Sequence, residues 1–160
     1  IRIGCLHTTQ PRKRWKDFAK LAKILGTEKY EYVGMGNSKP KEDFLVDFKH
    51  NPTVEELNNL YSSCHIWVAT SENEGLHNAP MEAAMCGCLI VCGDEPLGGM
   101  IYDYAFKDNT ALVYDRKDME HAAELIRNPN WDCIERMYNC LKHNIGTRED
   151  NMKKLVELLL

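Results

Sequence analysis

Cys64-His-Ile-Trp-Val-Ala-Thr-Ser-Glu-Asn-Glu-Gly-Leu-His-Asn-Ala-Pro-Met-Glu-Ala-Ala-Met-Cys-Gly-Cys-Leu-Ile-Val-Cys92 is the stretch whose order decides the fold. An apolar run over 66–69 reaches a polar, glycine-containing loop over 71–78, which a short helical pattern over 79–86 and a second apolar run over 89–92 follow. The order reads as strand, ligand loop, helix, strand. In an open α/β sheet the loop leaving a strand's carboxyl end is where ligands bind, and a helix starting there offers unpaired N–H groups to an anion. Glu74 precedes the turn and Glu82 lies in the helix's first turns. A carboxylate accepts two hydrogen bonds from a vicinal diol, on a sugar or a ribose. The backbone of Gly75, Leu76, His77 and Asn78 runs between the two acids, near enough to the helix start to hold phosphates. Spacing alone leaves open a plainer reading, an ordinary surface loop with an acid favoured by the helix dipole.

Composition narrows the classes. A chain of 160 residues suits one domain with a sizeable core. Its net charge of -4 argues against a general polyanion-binding surface, and the one basic cluster, Arg12 to Arg14, has no second basic patch or aromatic platform beside it, so no nucleic-acid partner is expected. The seven cysteines are odd in number and fall mostly in apolar patterns, which reads as buried free thiols in a reducing compartment rather than a disulfide framework. Cys86, Cys88 and Cys92 lack a matching pair or histidine partner, so no metal site is expected. No stretch approaches the roughly 20 apolar residues of a membrane span.

Upstream, residues 1–6 read as a first strand and 7–14 as a polar loop. Trp15, Phe18, Leu21, Ala22 and Leu25 recur at helical spacing before Gly26. Tyr30 to Val33 reads as a second strand closed by Gly34 and Gly36, and Phe44 to Phe48 as a third. Thr53 with Glu56 three residues on is a capping box, opening a helix whose buried stripe is Val54, Leu57, Leu60 and Tyr61. Asn78 reads as an N-cap for a helix from Ala79. Downstream, Gly98 and Gly99 lie in another loop at a strand's carboxyl end, able to bring backbone N–H groups to a phosphate. Ala111 to Val113 reads as the last strand. Asp118 caps a helix with Met119, Ala122, Ala123 and Ile126 inward. Trp131, Ile134, Met137, Tyr138 and Leu141 repeat at helical spacing, and Thr147 caps a final amphipathic segment.

Glu74 and Glu82, with seven residues between them, together with Ser71, Ala83, Cys86-Gly87 and the apolar 89–91 run, resemble the Glu-x7-Glu signature of retaining glycosyltransferases of GT-B architecture, the GT4-like family. The fold the resemblance implies is α/β: a Rossmann-like three-layer sandwich with a parallel sheet of about six strands, the C-terminal half of a GT-B enzyme. Residues 1–160 would then be the donor-binding domain, with 147–160 packing on an absent N-terminal domain that holds the acceptor. The implied donor is a UDP-, GDP- or ADP-sugar, with no cofactor and no metal. Glu74 would orient the donor sugar as the catalytic residue and Glu82 would hold the ribose. Gly75, Leu76, His77, Asn78, Gly98 and Gly99 would face the phosphates, and Gly34 and Gly36 would lie near the base. In the resembled family a Gly-Arg after the first strand and a Lys-Gly opening the next helix supply two cations to the diphosphate. Lys13 matches that Lys, with Arg14 where Gly is usual; Cys5 stands where the Arg is expected, and Arg12 is the substitute. A cytoplasmic location, with the full enzyme at the cytoplasmic face of a membrane, completes the expectation. The other reading left open is a non-catalytic α/β nucleotide-binding or protein-interaction module.

Overall fold

In the computed structural model, residues 1–72, 78–94 and 109–144 are described. Six strands, β1 (Arg2–His7), β2 (Glu31–Gly36), β3 (Leu45–His50), β4 (Ile66–Ala69), β5 (Leu89–Gly93) and β6 (Leu112–Tyr114), form one sheet in the order β3-β2-β1-β4-β5-β6. Every pairing is parallel. Among the described residues the helices are α1 (Trp15–Leu25), α2 (Val54–Ser63), α3 (Asn78–Met85), α4 (Met119–Arg127) and α5 (Asp132–Asn144). Parallel neighbours must be joined by crossovers, and these cover both faces of the sheet. The chain steps outward from β1 to β3 and then returns to lay β4 on the other side of β1. The carboxyl ends of β1 and β4 therefore send their loops apart, which opens the crevice that such sheets use for ligands.

Two cores flank the sheet. On one face Trp15, Phe18 and Leu21 of α1 and Ala122 and Ile126 of α4 pack on Ile3, Cys5 and Val68. On the other, Leu60 and Tyr61 of α2, Ala83 and Ala84 of α3, and Met137 and Leu141 of α5 pack on Val33, Trp67 and Ile90. Strand alternation sends Cys5 to the first core and leaves position 4 facing the second. A Cβ on Gly4 would lie 2.4 Å from the Trp67 ring, so glycine there makes room for the indole. β4 and β5 are buried along their whole length, as the uninterrupted apolar runs require of central parallel strands. The connection from β2 to β3 has no helix; it crosses the α1 face and sets Phe44 against Tyr32 and Phe18, with ring centroids 5.6 and 6.0 Å away.

Several boundaries and faces differ from expectation. β2 continues through Gly34 to Gly36 instead of ending before them, because both residues keep their ladder positions opposite Cys5 and His7. β3 runs on to His50 and so takes in Lys49 and His50, expected beyond it. β6 is shifted by one residue, to Leu112–Tyr114. The buried stripe of α2 narrows to Leu60 and Tyr61, while Val54 is 75% exposed. In α5 the core takes Cys133, Met137 and Leu141, leaving Trp131 and Tyr138 outside at 42% and 40% exposure. Two adjacent stripes of that helix are apolar, and packing against α3 selects between them. Asn78 is the first residue of α3 rather than the cap before Ala79.

Candidate functional site

At the crevice the β1–α1 loop is joined to the start of the β4–α3 loop. Pro11–Lys13 make a 3-10 turn, closed by Lys13 N–H on the Gln10 carbonyl and Arg14 N–H on the Pro11 carbonyl, both at 3.0 Å. The turn leaves the carbonyls of Arg12 and Lys13 facing β4. Glu72 N–H donates to the Arg12 carbonyl at 2.8 Å, and the buried Thr70 hydroxyl donates to the Lys13 carbonyl at 2.6 Å. Arg12, an exposed residue, donates from Nε to Gln10 at 3.0 Å. Lys13 is half-buried beside Cys5.

Arg14 completes the junction. Its backbone is left-handed, φ 50° and ψ 43°, a conformation that glycine adopts at no cost. This is the position where the resembled family carries Gly. The guanidinium donates to Asp17 at 2.5 Å, one turn into α1, and to the Glu72 carboxylate. The Asp17 hydrogen bond and then that of Glu72 hold Arg14 in its charged form. Cys5 supplies no cation in place of the expected Arg: burial pushes its thiol up to about 12, so it stays neutral against the Thr70 hydroxyl.

Sequence reasoning missed Arg116. It stands after β6, donates from its two terminal nitrogens to the carbonyls of Thr70 and Ser71 at 2.8 and 2.9 Å, and lies across Gly93, where a Cβ would sit 2.8 Å from the guanidinium. Residues 70–72 are thus clamped from both sides, by the 12–14 loop and by Arg116. A lone Arg in a turn carries no sequence signal of such a role; only the glycine at the end of β5 hints at a close approach.

Glu82 projects from α3 and accepts a hydrogen bond from the Tyr61 hydroxyl of α2 at 2.9 Å. Burial and then the nearby Glu82 carboxylate raise Tyr61 far above its ordinary range, so the hydroxyl is a standing donor that orients one carboxylate oxygen. Glu82 itself is exposed, and Asn78 opens the same helix one turn earlier. Gly34 and Gly36 make their close approaches to protein: added Cβ atoms would meet the Phe48 ring at 2.9 Å and the His7 carbonyl oxygen at 1.7 Å. The candidates Glu74, Gly75, Leu76, His77, Gly98 and Gly99 lie outside the described residues. Among the described residues no group of three or more metal-ligating side chains converges, and no helix is long and apolar enough to cross a membrane.

Comparison with known proteins places this geometry. The family described as "Glycosyl transferases group 1" matches residues 2–128. A search of curated proteins gave no match. Among solved structures, TarM of S. aureus superposes with a TM-score of 0.76 at 16% identity, over 98% of this chain and 34% of TarM. The C-terminal domain of the group 1 glycosyl transferase LpcC from Francisella tularensis gives 0.73 at 16% identity, over 92% of this chain and 87% of that domain. An α,α-trehalose-phosphate synthase (UDP-forming) from Burkholderia xenovorans gives 0.70 at 12%, over 98% and 43%. The chain spans about a third of TarM, and at these identities the likeness is one of fold.

Proposed function

The chain belongs to the group 1 glycosyl transferases, with the architecture of a C-terminal GT-B domain, and from that premise we propose that it binds a nucleotide-diphospho-sugar at the carboxyl edge of β1 and β4 for retaining transfer to an acceptor held by a second domain. The observation that carries this reading is the junction of the Arg12–Arg14 loop with residues 70–72. It brings Lys13 to the base of the loop that carries Glu74, at the switch point of the sheet. Cations placed there offset the diphosphate's charge and the charge that grows on the leaving nucleoside diphosphate. Glu74 orients the donor sugar, and Glu82, steadied by Tyr61, accepts from the ribose hydroxyls. The donor needs no metal if protein cations do this work. Seven free cysteines support a cytoplasmic setting.

Calorimetric titration with UDP, GDP, ADP and their sugar conjugates tests the reading. One nucleotide is expected to bind selectively and to weaken in Lys13→Ala and Glu82→Ala. Tyr61→Phe is expected to weaken it less, by the loss of one hydrogen bond of about 1 kcal/mol. Binding indifferent to all three substitutions would refute the site. The neutral Cys5, standing where the resemblance expects a cation, favours the other reading, a non-catalytic protein-interaction module. That reading gains if no nucleotide binds at millimolar concentration.

A further inference from the structure

Away from the candidate site, a groove of about 570 Å³ lies between the carboxyl end of α3 and the start of α5. α3 opens at Asn78 and sets the groove off from that residue by its own length, roughly 12 Å at 1.5 Å per residue. No residue assigned above to the donor is in its wall. Much of the wall is apolar: Met85, 48% exposed, closes α3, and Trp131, Ile134 and Tyr138 follow one another at helical spacing along the outer side of α5. Trp15 and Trp67 are buried, so Trp131 is the indole that solvent reaches. Tryptophan, tyrosine and methionine are the residues that protein interfaces enrich.

Two carboxylates share this wall. Asp132 and Glu135 are three residues apart on the helix, where like charges repel. Among the described residues neither enters an ion pair, and no Lys or Arg lines the groove. Arg136 is turned elsewhere, to the Asn109 carbonyl at 3.1 Å and the Cys133 sulfur at 3.3 Å. The carboxyl end of α3 adds the negative end of a helix dipole to the same place. The dipole of α5 favours acids in its own first turn, but it gives no reason for two exposed aromatic rings beside them. An entering group meets negative charge next to aromatic faces. A guanidinium suits both, since it stacks flat on an aromatic ring and forks onto a carboxylate, which an ammonium does less well.

We propose that this groove docks an arginine-bearing segment of a protein partner, its guanidinium between the aromatic rings and the Asp132 and Glu135 carboxylates, its apolar side chains on Met85 and Ile134. The inference is independent of the donor reading, and a partner seated here leaves the carboxyl edge of the sheet open.

The test titrates the chain with a short, end-blocked, tryptophan-free peptide of alternating leucine and arginine, and with counterparts carrying glutamine or glutamate in place of arginine. Calorimetry and Trp131 emission read the binding. The arginine peptide is expected to bind and to change the emission, the glutamine peptide to bind about tenfold or more weaker, and the glutamate peptide to be silent. The double variant Asp132→Asn, Glu135→Gln is expected to lose about tenfold or more of the affinity for the arginine peptide. Both residues are exposed and the exchange relieves a like-charge pair, so the variant keeps its fold. A control pair on the opposite face of the sheet, Glu120→Gln with Glu124→Gln on α4, is expected to leave the affinity unchanged. Absence of binding at millimolar peptide overturns the inference. So does an equal loss in the control pair, which would mean general attraction to an acidic chain, and so does a glutamine peptide as tight as the arginine one, which would mean an apolar groove only. Trp131 emission that changes with protein concentration alone, and that the arginine peptide fails to reverse, would assign the groove to a second copy of the chain instead.

Discussion

Arg14 shows how much one position can carry. A left-handed backbone costs a non-glycine residue about 1–2 kcal/mol, and partly exposed ion pairs return only about 0.2–1 kcal/mol each. The two pairs of Arg14, with Asp17 and Glu72, are partly exposed, so strain and attraction nearly cancel. Arg14→Gly is expected to stay within about 0.5 kcal/mol of the parent in urea unfolding, whereas Arg14→Ala, which keeps the strain and loses both pairs, falls by about 1 kcal/mol. Equal losses in the two variants would show that the backbone is not strained. The basic loop and the unusual Arg at a glycine position were legible in the sequence. Its partner Glu72 was not, because it is 58 residues away and no local pattern joins the two.

At the scale of elements, α2 was legible down to its cap. Thr53 accepts from Glu56 N–H at 3.3 Å and Glu56 accepts from Thr53 N–H at 2.8 Å, the reciprocal pair that the spacing predicted. The Thr53 backbone N–H, then its side chain, holds the Glu56 carboxyl below the usual carboxylate range. A depressed folded value means that the contribution of Glu56 is complete above the unfolded value of about 4.3 and fades as pH falls through the lower folded one. The stability gap between the parent and Glu56→Ala is therefore expected to be widest near neutrality and to close in acid. Urea midpoints measured across that range check it, and a gap that grows on acidification would contradict the cap. The inner stripe of α5 was not legible, since Trp131 and Tyr138 are as apolar in sequence as the residues that the core accepted. Gly34 and Gly36 were visible as punctuation, but punctuation does not say that the crowding atoms belong to Phe48 and His7.

On the scale of the whole molecule, the proposed function makes the chain one wall of a crevice. A donor held on one wall leaves the acceptor unpositioned and water admitted, which forfeits the orientation on which transfer depends. The 160-residue chain is expected to bind its nucleotide without appreciable turnover, and activity to require a second domain in the same assembly. Single-turnover assays of the chain with a matched donor check this, and transfer at a rate typical of two-domain enzymes would contradict it. What the sequence determined by itself was the set of elements and their parallel class: the apolar runs of β4 and β5, the amphipathic face of α1, and the Asp118 and Thr53 caps that the structure reproduces. These are signals carried within a few residues of one another. Tertiary structure alone decided which stripe of a helix faces inward, that Arg116 closes on Thr70 from 46 residues away, and that the outer side of α5 meets the end of α3 in one groove. Those outcomes follow from packing and charge between segments distant in the chain, which no local periodicity encodes.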